Sequence, residues 1–354
     1  MKRKINVLLT AIGCPGGPSI IDSLREDPSI RITGTDMRKN VPGKFLVDAF
    51  YVVPPGKSES YITEVLSIVE KEKIDVILPL ATFELNSLSE NSSLFGEYGC
   101  KICISNKEAL DISNNKFKLY NKFKKEKFTP EHFIPNSLDD LKNKMCLLGF
   151  PDKRVVIKPF VSHGSIGLRI IDNEIDLYDQ YINYKPSSIS IPAEMLDFIF
   201  KERDINDILL SEYLPGKEMG VDLLLDPKNN KVIKGIVRDN GDVLFSEVSN
   251  GFIVEEKKLL SMATEIAEEI GLSYVVNFDF KYDYNGEPKL LEINPRMPAT
   301  SYLATASGLN LPLLSIYLAM NINFDLKPLK RDLRIYSYRG FMVINDLNNS
   351  LKQV

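Results

Sequence analysis

Segments typical of strands and of helices alternate over residues 5–105. Apolar, strand-like runs lie at 5–10, 30–35 and 74–79, and the segments at 19–25 and 61–71 have the apolar spacing of helices. The remaining segments of the series are a short strand at 50–53, a helix at 84–95 and a closing strand at 101–105. Strands that alternate with helices predict a parallel, doubly wound sheet. We therefore expect a Rossmann-like α/β domain at the start of the chain.

The loop after the first strand is rich in glycine and proline, and Asp36 follows the second strand. Both features are typical of dinucleotide-binding domains. However, the loop sequence Gly13-Cys-Pro-Gly-Gly-Pro18 does not match G-x-G-x-x-G. Its two prolines also lack the N–H groups that a pyrophosphate would use. A tight turn that forms one wall of a substrate site is favoured over an NAD-dependent oxidoreductase.

Composition excludes several classes of protein. A net charge of −4 gives no reason to expect nucleic acid, and no basic run predicts a membrane surface. The apolar stretch 309–320 contains Pro312 and is too short to cross a bilayer, and the basic start of the chain lacks the apolar region of a signal peptide. Four cysteines without a second CxxC motif favour buried thiols in a reducing cytoplasm. Two histidines are too few for a histidine-based zinc site.

A hairpin is predicted over residues 277–294, with a turn at 284–287. Alternation places Asn277, Asp279 and Lys281 on one face of the first strand. It places Leu290, Glu292 and Asn294 on one face of the second strand. If the strands pair, Asp279, Glu292 and Asn294 converge as an all-oxygen set, which suits Mg²⁺ with phosphate oxygens completing its shell.

Two lysines, Lys116 and Lys158, are candidates for binding phosphate. Lys116 lies in a lysine-rich segment, 111–127, that is predicted to be helical and mostly solvated, behind a cap at 113–115. Lys158 ends a strand and precedes a loop of small residues, 160–167, whose N–H groups can point at phosphate oxygens. A β-hairpin with a glycine turn explains the second pattern equally well.

Glu212 and Glu218 flank a Pro-Gly turn between two predicted strands. One interpretation is a strand end with exposed carboxylates. The other is a nucleotide hinge, with backbone groups at Tyr213 and Leu214 for adenine and Glu218 for the ribose. The segments 220–225 and 232–238 are joined by a short turn, which predicts antiparallel sheet and an α+β region. Further elements are predicted at 255–270 and 304–318, both helical, and at 340–344, a strand.

These signals, in this order, resemble the ATP-grasp superfamily, and the string Glu292-Ile-Asn-Pro-Arg296 is the most specific of them. Within the superfamily the first 105 residues look most like relatives of the carbamoyl phosphate synthetase large subunit. The resemblance implies a Rossmann-like domain at 1–108, an ATP-grasp domain at 109–325 made of two α+β subdomains with a lid at about 130–215, and a C-terminal strand and tail at 326–354.

The resemblance also implies a role for each site residue. Lys116 and Lys158 would contact ATP phosphates, Lys158 acting in catalysis. The loop that closes over the phosphates would comprise Ser162, His163, Gly164, Ser165 and Gly167. The nucleoside would be held by Glu212, Tyr213, Leu214 and Glu218. One or two Mg²⁺ ions, or Mn²⁺, would be held by Asp279, Glu292 and Asn294, and Arg296 would stabilise the transferred phosphoryl group.

The implied reaction joins a small-molecule carboxylate to an amine or ammonia through an acyl phosphate, with release of ADP and phosphate. The alternative is an ATP-binding scaffold or sensor that has lost catalysis. The chain differs from its relatives at three positions: Lys116 replaces a common arginine, Asn115 an aspartate, and Asn277 the catalytic arginine of peptide-forming ligases. One ATP-grasp unit is expected to act as a free-standing enzyme, and a homodimer is the assembly that is common in the superfamily.

Neither substrate is identified by the sequence. Arg238 and Arg339 are candidates for binding a substrate carboxylate, because each lies in a predicted strand near the site. Ordinary surface ion pairs explain both residues equally well.

Overall fold

The computed structural model describes most of the chain. The residues it describes are 4–162, 164–183, 189–203, 205–241, 243–244, 247–248, 250–331, 333–337, 342–345 and 350–352. None of the helices within these ranges combines the length and the apolarity needed to cross a membrane.

The first part of the chain forms a parallel sheet flanked by helices. Its elements in chain order are β1 (Ile5–Leu9), α1 (Gly17–Leu24), β2 (Ile30–Asp36), β3 (Ala49–Val52), α2 (Tyr61–Glu72), β4 (Val76–Leu78), α3 (Leu85–Glu90), α4 (Ser92–Glu97) and β5 (Lys101–Ile102). Two 3₁₀ turns lie at Pro42–Phe45 and Thr82–Glu84. The strand order is β3-β2-β1-β4-β5, and all pairs are parallel, as the alternation predicted. The order reverses between β1 and β4, and the carboxyl ends of these two strands bound a crevice of the kind in which open α/β sheets bind ligands.

Glu84 fixes the loop that follows β4 at this crevice. Its carboxylate accepts hydrogen bonds from the Thr10 hydroxyl at 2.5 Å and the Tyr61 hydroxyl at 2.7 Å. It also accepts from the backbone N–H groups of Leu80 at 3.1 Å and Ala81 at 2.9 Å. Glu84 is only 4% exposed. The buried carboxylate therefore holds the ends of β1 and β4 together.

Two short helices connect this sheet to the next: α5 (Lys107–Ser113) and α6 (Lys116–Lys122). The single helix expected over 111–127 is therefore wrong. The side chain of Asn115 caps α6 by accepting a hydrogen bond from the N–H of Lys118 at 3.1 Å, which starts a new helix. The predicted cap at 113–115 thus marks a helix boundary inside the segment.

A second five-stranded sheet lies in the segment predicted to be the lid. Its elements are β6 (His132–Phe133), α7 (Leu138–Leu147), β7 (Val155–Pro159), β8 (Arg169–Ile171), α8 (Leu177–Asn183), β9 (Ser190–Ile191), α9 (Met195–Ile199) and β10 (Ile208–Glu212). The strand order is β6-β10-β7-β8-β9, and only β8 and β9 run parallel.

The largest sheet follows the lid. Its region contains β11 (Glu218–Leu225), β12 (Val232–Asp239), β13 (Val243–Leu244), β14 (Glu247–Val248), β15 (Asn250–Val254), α10 (Lys257–Ile270), β16 (Tyr274–Tyr282), β17 (Pro288–Asn294), α11 (Ser301–Ala306), α12 (Leu311–Ala319), β18 (Arg334–Tyr336), β19 (Val343–Asn345) and β20 (Ser350–Lys352). The six-stranded order is β17-β16-β11-β12-β15-β18, all antiparallel, while β13–β14 and β19–β20 are separate pairs. The helix expected over 304–318 is broken after α11, and part of the strand expected over 340–344 lies outside the described residues.

The parallel sheet and the C-terminal helices share one hydrophobic core. Leu303 of α11 and Ile316 of α12 pack with buried residues of β1 and α1, such as Val7 and Leu24. The loop before α1 also approaches the segment after β17 closely, because a Cβ on Gly16 would lie 2.6 Å from the Cα of Ala299. The crevice at the end of β1 is therefore held against the segment that follows the predicted metal ligands.

The buried Glu84 carboxylate generates a stability prediction. In Glu84→Ala, two hydroxyls and the N–H of Ala81 lose their acceptor, and the N–H of Leu80 keeps only the Thr10 hydroxyl. We expect the free energy of unfolding to fall by about 3 kcal/mol. Urea denaturation followed by circular dichroism measures the change. The control is Glu90→Ala, which removes the exposed ion pair with Lys107 and should leave the free energy of unfolding nearly unchanged. Equal losses in the two variants would contradict the structural role of Glu84.

Candidate active site

Four side-chain positions form one row across the largest sheet. Arg238 pairs with Gly220, Gly220 with Asp279, and Asp279 with Glu292. Residues directly opposite each other on neighbouring strands point to the same face. The row therefore places both predicted metal-binding carboxylates side by side, with a guanidinium two strands away.

The structure brings the three predicted metal ligands together. The Nδ2 of Asn294 lies 3.0 Å from Asp279 Oδ2 and 3.3 Å from Glu292 Oε1. Burial, and then the charge of Glu292, raise the pKa of Asp279. A divalent cation would relieve this repulsion, and two carboxylates with an amide oxygen are ligands that suit Mg²⁺. The donor set fits the ion, with phosphate oxygens or water needed to complete its shell.

One face assignment in this hairpin is wrong. Leu290 was expected on the same face as Glu292 and Asn294, but a shift in register between Asp279 and Phe280 places Leu290 opposite Phe280. Leu290 lies in the core beside Phe280 and is 1% exposed. The extra residue of the β-bulge turns the strand and reverses the alternation.

Lys116 and Lys158 lie next to each other at this site. The Nζ of Lys116 forms an ion pair with Glu292 Oε2 at 2.8 Å, and the Lys116 N–H donates to the Phe160 carbonyl at 2.9 Å, which docks α6 on the end of β7. The ammonium of Lys158 lies 3.1 Å from the hydroxyl of Tyr120. The two predicted phosphate-binding lysines therefore meet the metal ligands, although 134 residues separate Lys158 from Glu292 in the chain.

The charges of this cluster shift each other's protonation. Burial, followed by the positive charge of Lys116, lowers the pKa of Lys158 to about 7. Burial alone would raise the pKa of Glu292, but the charge and hydrogen bond of Lys116 outweigh it and the pKa is lowered. The charge of Lys158 therefore depends on pH near neutrality. A phosphate group bound beside it would supply the negative charge that stabilises the protonated lysine.

The small-residue loop connects β7 to β8 as predicted. Ser165 has a φ of 55° and Gly164 a φ of 56°, so the turn uses the left-handed region that glycine favours. The hydroxyl of Ser162 lies 3.4 Å from the Nζ of Lys116. A Cβ on Gly167 would lie 2.6 Å from the ring of Pro159, which requires glycine there. His163, which was assigned to the same loop, lies outside the described residues.

The Glu212–Glu218 segment connects the lid to the largest sheet. The carboxylate of Glu212 accepts a hydrogen bond from the N–H of Glu131 at 2.9 Å, so it is not a free, exposed strand end. Leu214 is 4% exposed. Glu218 is half-buried and accepts from the Nδ2 of Asn240 at 3.3 Å. The segment spans the junction of the two sheets with fixed carboxylates, which is the position expected of a hinge.

Arg296 reaches the N-terminal sheet. Its Nε donates to the hydroxyl of Thr82 at 3.1 Å, and its Nη1 donates to the carbonyl of Met297 at 3.2 Å. Burial raises the pKa of the nearby Cys14 thiol, and the charge of Arg296 acts in the opposite direction. The guanidinium therefore lies between the carboxylate row and the crevice at the ends of β1 and β4.

The two arginine candidates for substrate binding have different outcomes. Arg238 is 3% exposed and contacts Asp222 and Asn240, so neither a surface ion pair nor an open substrate contact describes it. Arg339 lies outside the described residues. Sequence patterns also missed Tyr120 and Thr82, whose partners lie 38 and 214 residues away in the chain.

Two family models match separate parts of the chain. Residues 204–340 match a model described as ATP-grasp in the biosynthetic pathway with Ter operon. Residues 7–103 match a model described as the PylC-like N-terminal domain. Residues 204–340 thus belong to an ATP-grasp domain, and the predicted recognition of such a domain is confirmed.

Individual relatives agree with this assignment. The carbamoyl phosphate synthase large chain of Clostridium botulinum (strain Kyoto / Type A2) is 23% identical over 283 residues, which is 77% of this ATP-grasp chain and 24% of the relative. The chain thus spans about a quarter of the length of the curated relatives it matches. The predicted relationship to the synthetase large subunit is confirmed.

Solved structures share the fold. N5-carboxyaminoimidazole synthetase from Staphylococcus aureus has a TM-score of 0.65 at 14% identity, covering 92% of this chain and 79% of its own. The biotin carboxylase domain of Hydrogenobacter thermophilus 2-oxoglutarate carboxylase, solved with MgADP and bicarbonate, has a TM-score of 0.65 at 18% identity, covering 94% and 74%. The predicted combination of a Rossmann-like α/β domain with α+β subdomains is confirmed.

The lowered pKa of Lys158 generates a prediction about nucleotide binding. With a pKa of about 7 in the free protein, Lys158 is largely neutral at higher pH and must take up a proton when phosphates bind beside it. We therefore expect the affinity for ADP to fall by up to about tenfold per pH unit above about pH 7, with proton uptake on binding. Calorimetry at about pH 8 in buffers of different ionisation enthalpy measures that uptake.

Lys158→Arg supplies the control, because arginine stays charged over this range. Its affinity for ADP is expected to change little with pH, whatever its absolute value. A wild-type chain that takes up no proton on binding ADP would contradict the assignment of Lys158 to the phosphate site.

Proposed function

We propose that this ATP-grasp chain is an ATP-dependent ligase that joins a small-molecule carboxylate to an amine or ammonia. The observation that carries the proposal is the contact between Lys116 and Glu292, with Lys158 beside them. Phosphoryl transfer needs positioned positive charge more than a side-chain base. A pair of lysines against a carboxylate pair supplies such a site from three parts of the chain.

Lys116 and Lys158 bind the phosphates of ATP in this proposal, and the backbone of 164–167 closes over them. The hinge residues Tyr213 and Leu214 hold adenine through backbone groups beside Glu212, and Glu218 holds the ribose. Buried Leu214 supplies apolar contact, and the half-buried carboxylate of Glu218 supplies acceptors for hydroxyls. The related carboxylase domain was solved with MgADP, which supports a nucleotide as the ligand.

Asp279, Glu292 and Asn294 would hold one or two Mg²⁺ ions, or Mn²⁺. When bound, the metal neutralises negative charge on the phosphates. The chain's own residues do the remaining work. Lys116 holds Glu292 in place through its 2.8 Å ion pair, and Arg296, held by Thr82, presents a charge to the transferred phosphoryl group.

The proposed chemistry has two steps. In the first, a carboxylate oxygen of the acid forms a bond to the γ-phosphorus, and the bond from that phosphorus to the bridging oxygen of ADP breaks. In the second, the amine nitrogen forms a bond to the acyl carbon, and phosphate leaves. The amine gives up a proton, which water or the leaving phosphate accepts. No histidine is required for either step.

The acid would lie in the crevice between Arg296, Thr82 and the loop that contains Cys14. This crevice is at the reversal of strand order in the N-terminal sheet, and Arg296 connects it to the phosphate site. The Arg296 guanidinium, which lies between the crevice and the phosphate site, can bind the carboxylate of the acid close to the γ-phosphate. We further propose a cytoplasmic location, since Cys100 and Cys103 are free and buried. A homodimer is proposed by analogy with the related carboxylase domain, which is described as a dimer.

ADP release over a matrix of carboxylates and amines tests this function. We expect ADP only with a matched acid, and Glu292→Gln to lower turnover by at least about 100-fold, because it removes a charge that metal and Lys116 need. The matched control is Glu287→Gln in the turn of the same hairpin, whose exposed side chain pairs with Lys258. Its turnover should stay near that of the wild type.

Two results would contradict the proposal. Acid-dependent turnover that survives in Glu292→Gln would remove Glu292 from the site. ATP binding without ADP release across the whole matrix would favour a scaffold or sensor that has lost catalysis.

A further inference from the structure

A buried arginine connects two neighbouring strands of the largest sheet. Arg238 of β12 lies opposite Gly220 of β11 and is 3% exposed. Its Nε and Nη2 each lie 3.4 Å from a carboxylate oxygen of Asp222. Its Nη1 donates to the Oδ1 of Asn240 at 2.6 Å. The guanidinium therefore binds a carboxylate on one side and an amide on the other.

Gly220 makes room for the guanidinium. A Cβ at position 220 would lie 2.4 Å from the Cζ and Nη1 of Arg238 and 2.5 Å from its Nη2. Alternation places Glu218, Gly220 and Asp222 on the same face of β11, with the glycine in the middle. The guanidinium therefore lies over the glycine and reaches from Asp222 toward the start of β11, where Glu218 lies.

The amide of Asn240 has one orientation between Arg238 and Glu218. A guanidinium only donates hydrogen bonds, and a carboxylate only accepts them. The Oδ1 of Asn240 accepts from Arg238, and its Nδ2 donates to the Oε1 of Glu218 at 3.3 Å. The reversed amide would place N–H groups against the guanidinium and an oxygen against the carboxylate. The two charged partners therefore select the same orientation of the amide.

Asn240 restrains a carboxylate that has a second charged neighbour. The backbone N–H of Asn240 donates to the carbonyl of Glu218 at 3.1 Å, and Asn240 is 2% exposed, so the two residues are fixed to each other. Lys281 lies opposite Glu218 on β16, and side chains at directly opposite positions are within reach of each other. Without the amide of Asn240, the carboxylate would be free to turn toward the ammonium of Lys281. The amide binds one carboxylate oxygen, and a hydroxyl can donate to the other.

We propose that Arg238 and Asn240 are positioning residues that orient the Glu218 carboxylate toward the ribose hydroxyls of the nucleotide. The inference rests on the proposed function, in which Glu218 holds the ribose. It deepens that function by assigning two residues that act through Glu218 and do not touch the nucleotide. Selection for a nucleotide with ribose hydroxyls then depends on β12 as well as on Glu218.

Asn240→Asp tests this orientation with almost no change in shape. The new carboxylate still accepts from Arg238, but it repels Glu218 instead of donating to it. Calorimetric titration gives the dissociation constants of 2′,3′-dideoxyADP and ADP, each with Mg²⁺, and their ratio measures the selection for ribose hydroxyls. We expect a ratio of about tenfold or more in the wild type and a ratio about fivefold smaller in the variant. The added charge and any loss of stability affect both nucleotides alike, so they cancel in the ratio.

Three further variants separate the parts of the inference. Glu218→Gln removes the charge that strengthens the bonds to the hydroxyls and should lower the ratio directly. Gly220→Ala displaces the guanidinium from Asn240 and should lower the ratio as Asn240→Asp does. The matched control is Asn229→Asp, the same change in the exposed turn that joins β11 to β12, whose ratio should equal that of the wild type.

Asn240→Ala provides a second route if Asn240→Asp fails to fold, because it also removes the donor to Glu218. A wild-type ratio in the Asn240 variant, with a lowered ratio in Glu218→Gln, would overturn the inference and leave the proposed function intact. A wild-type ratio in Gly220→Ala alone would remove Arg238 from it. A ratio near one in the wild type, or a wild-type ratio in Glu218→Gln, would overturn the proposed role of Glu218 and the inference with it. A wild-type chain that binds neither nucleotide would overturn the proposed function itself.

Discussion

Two carboxylates that lie side by side on paired strands determine where the site needs positive charge. Asp279 and Glu292 are opposite each other on β16 and β17, and burial together with the charge of Glu292 raises the pKa of Asp279. Such a pair persists only where positive charge surrounds it. The chain supplies that charge from Lys116 and Lys158 on one side and from Arg238 on the other. The proposed metal site and the proposed phosphate site thus share one electrostatic requirement.

The same requirement explains why distant parts of the chain meet here. The lid contributes Lys158, and the connecting helix α6 contributes Lys116. The N-terminal sheet contributes Thr82, which holds Arg296 from a loop that the buried carboxylate of Glu84 fixes. The C-terminal helices share a core with that sheet, which connects its crevice to the segment that contains Arg296. The loop that Glu84 fixes in the N-terminal domain thus helps to position the Arg296 guanidinium at the site.

Local patterns in the sequence predicted the elements of this site well. The hairpin around Asp279 and Glu292 follows from alternation, and the cap before Lys116 follows from the chemistry of Asn115. The position of Leu290 was wrong because a bulge depends on how two strands pair, which alternation within one strand does not encode. The burial of Arg238 depends on Gly220 in another strand, and no local pattern contains it. The roles of the site residues and the domain boundaries stay predictions.

The central claim is that a carboxylate attacks the γ-phosphate of ATP at this site. Isotope transfer tests it most directly, using the acid found by the ADP-release matrix with its carboxylate labelled with ¹⁸O. Mass spectrometry of the released phosphate then reports the origin of its oxygens. The account predicts one ¹⁸O atom in phosphate for each product formed, because the acyl phosphate leaves with an oxygen of the acid. Unlabelled phosphate, with both ¹⁸O atoms retained in the acid or its product, would contradict it.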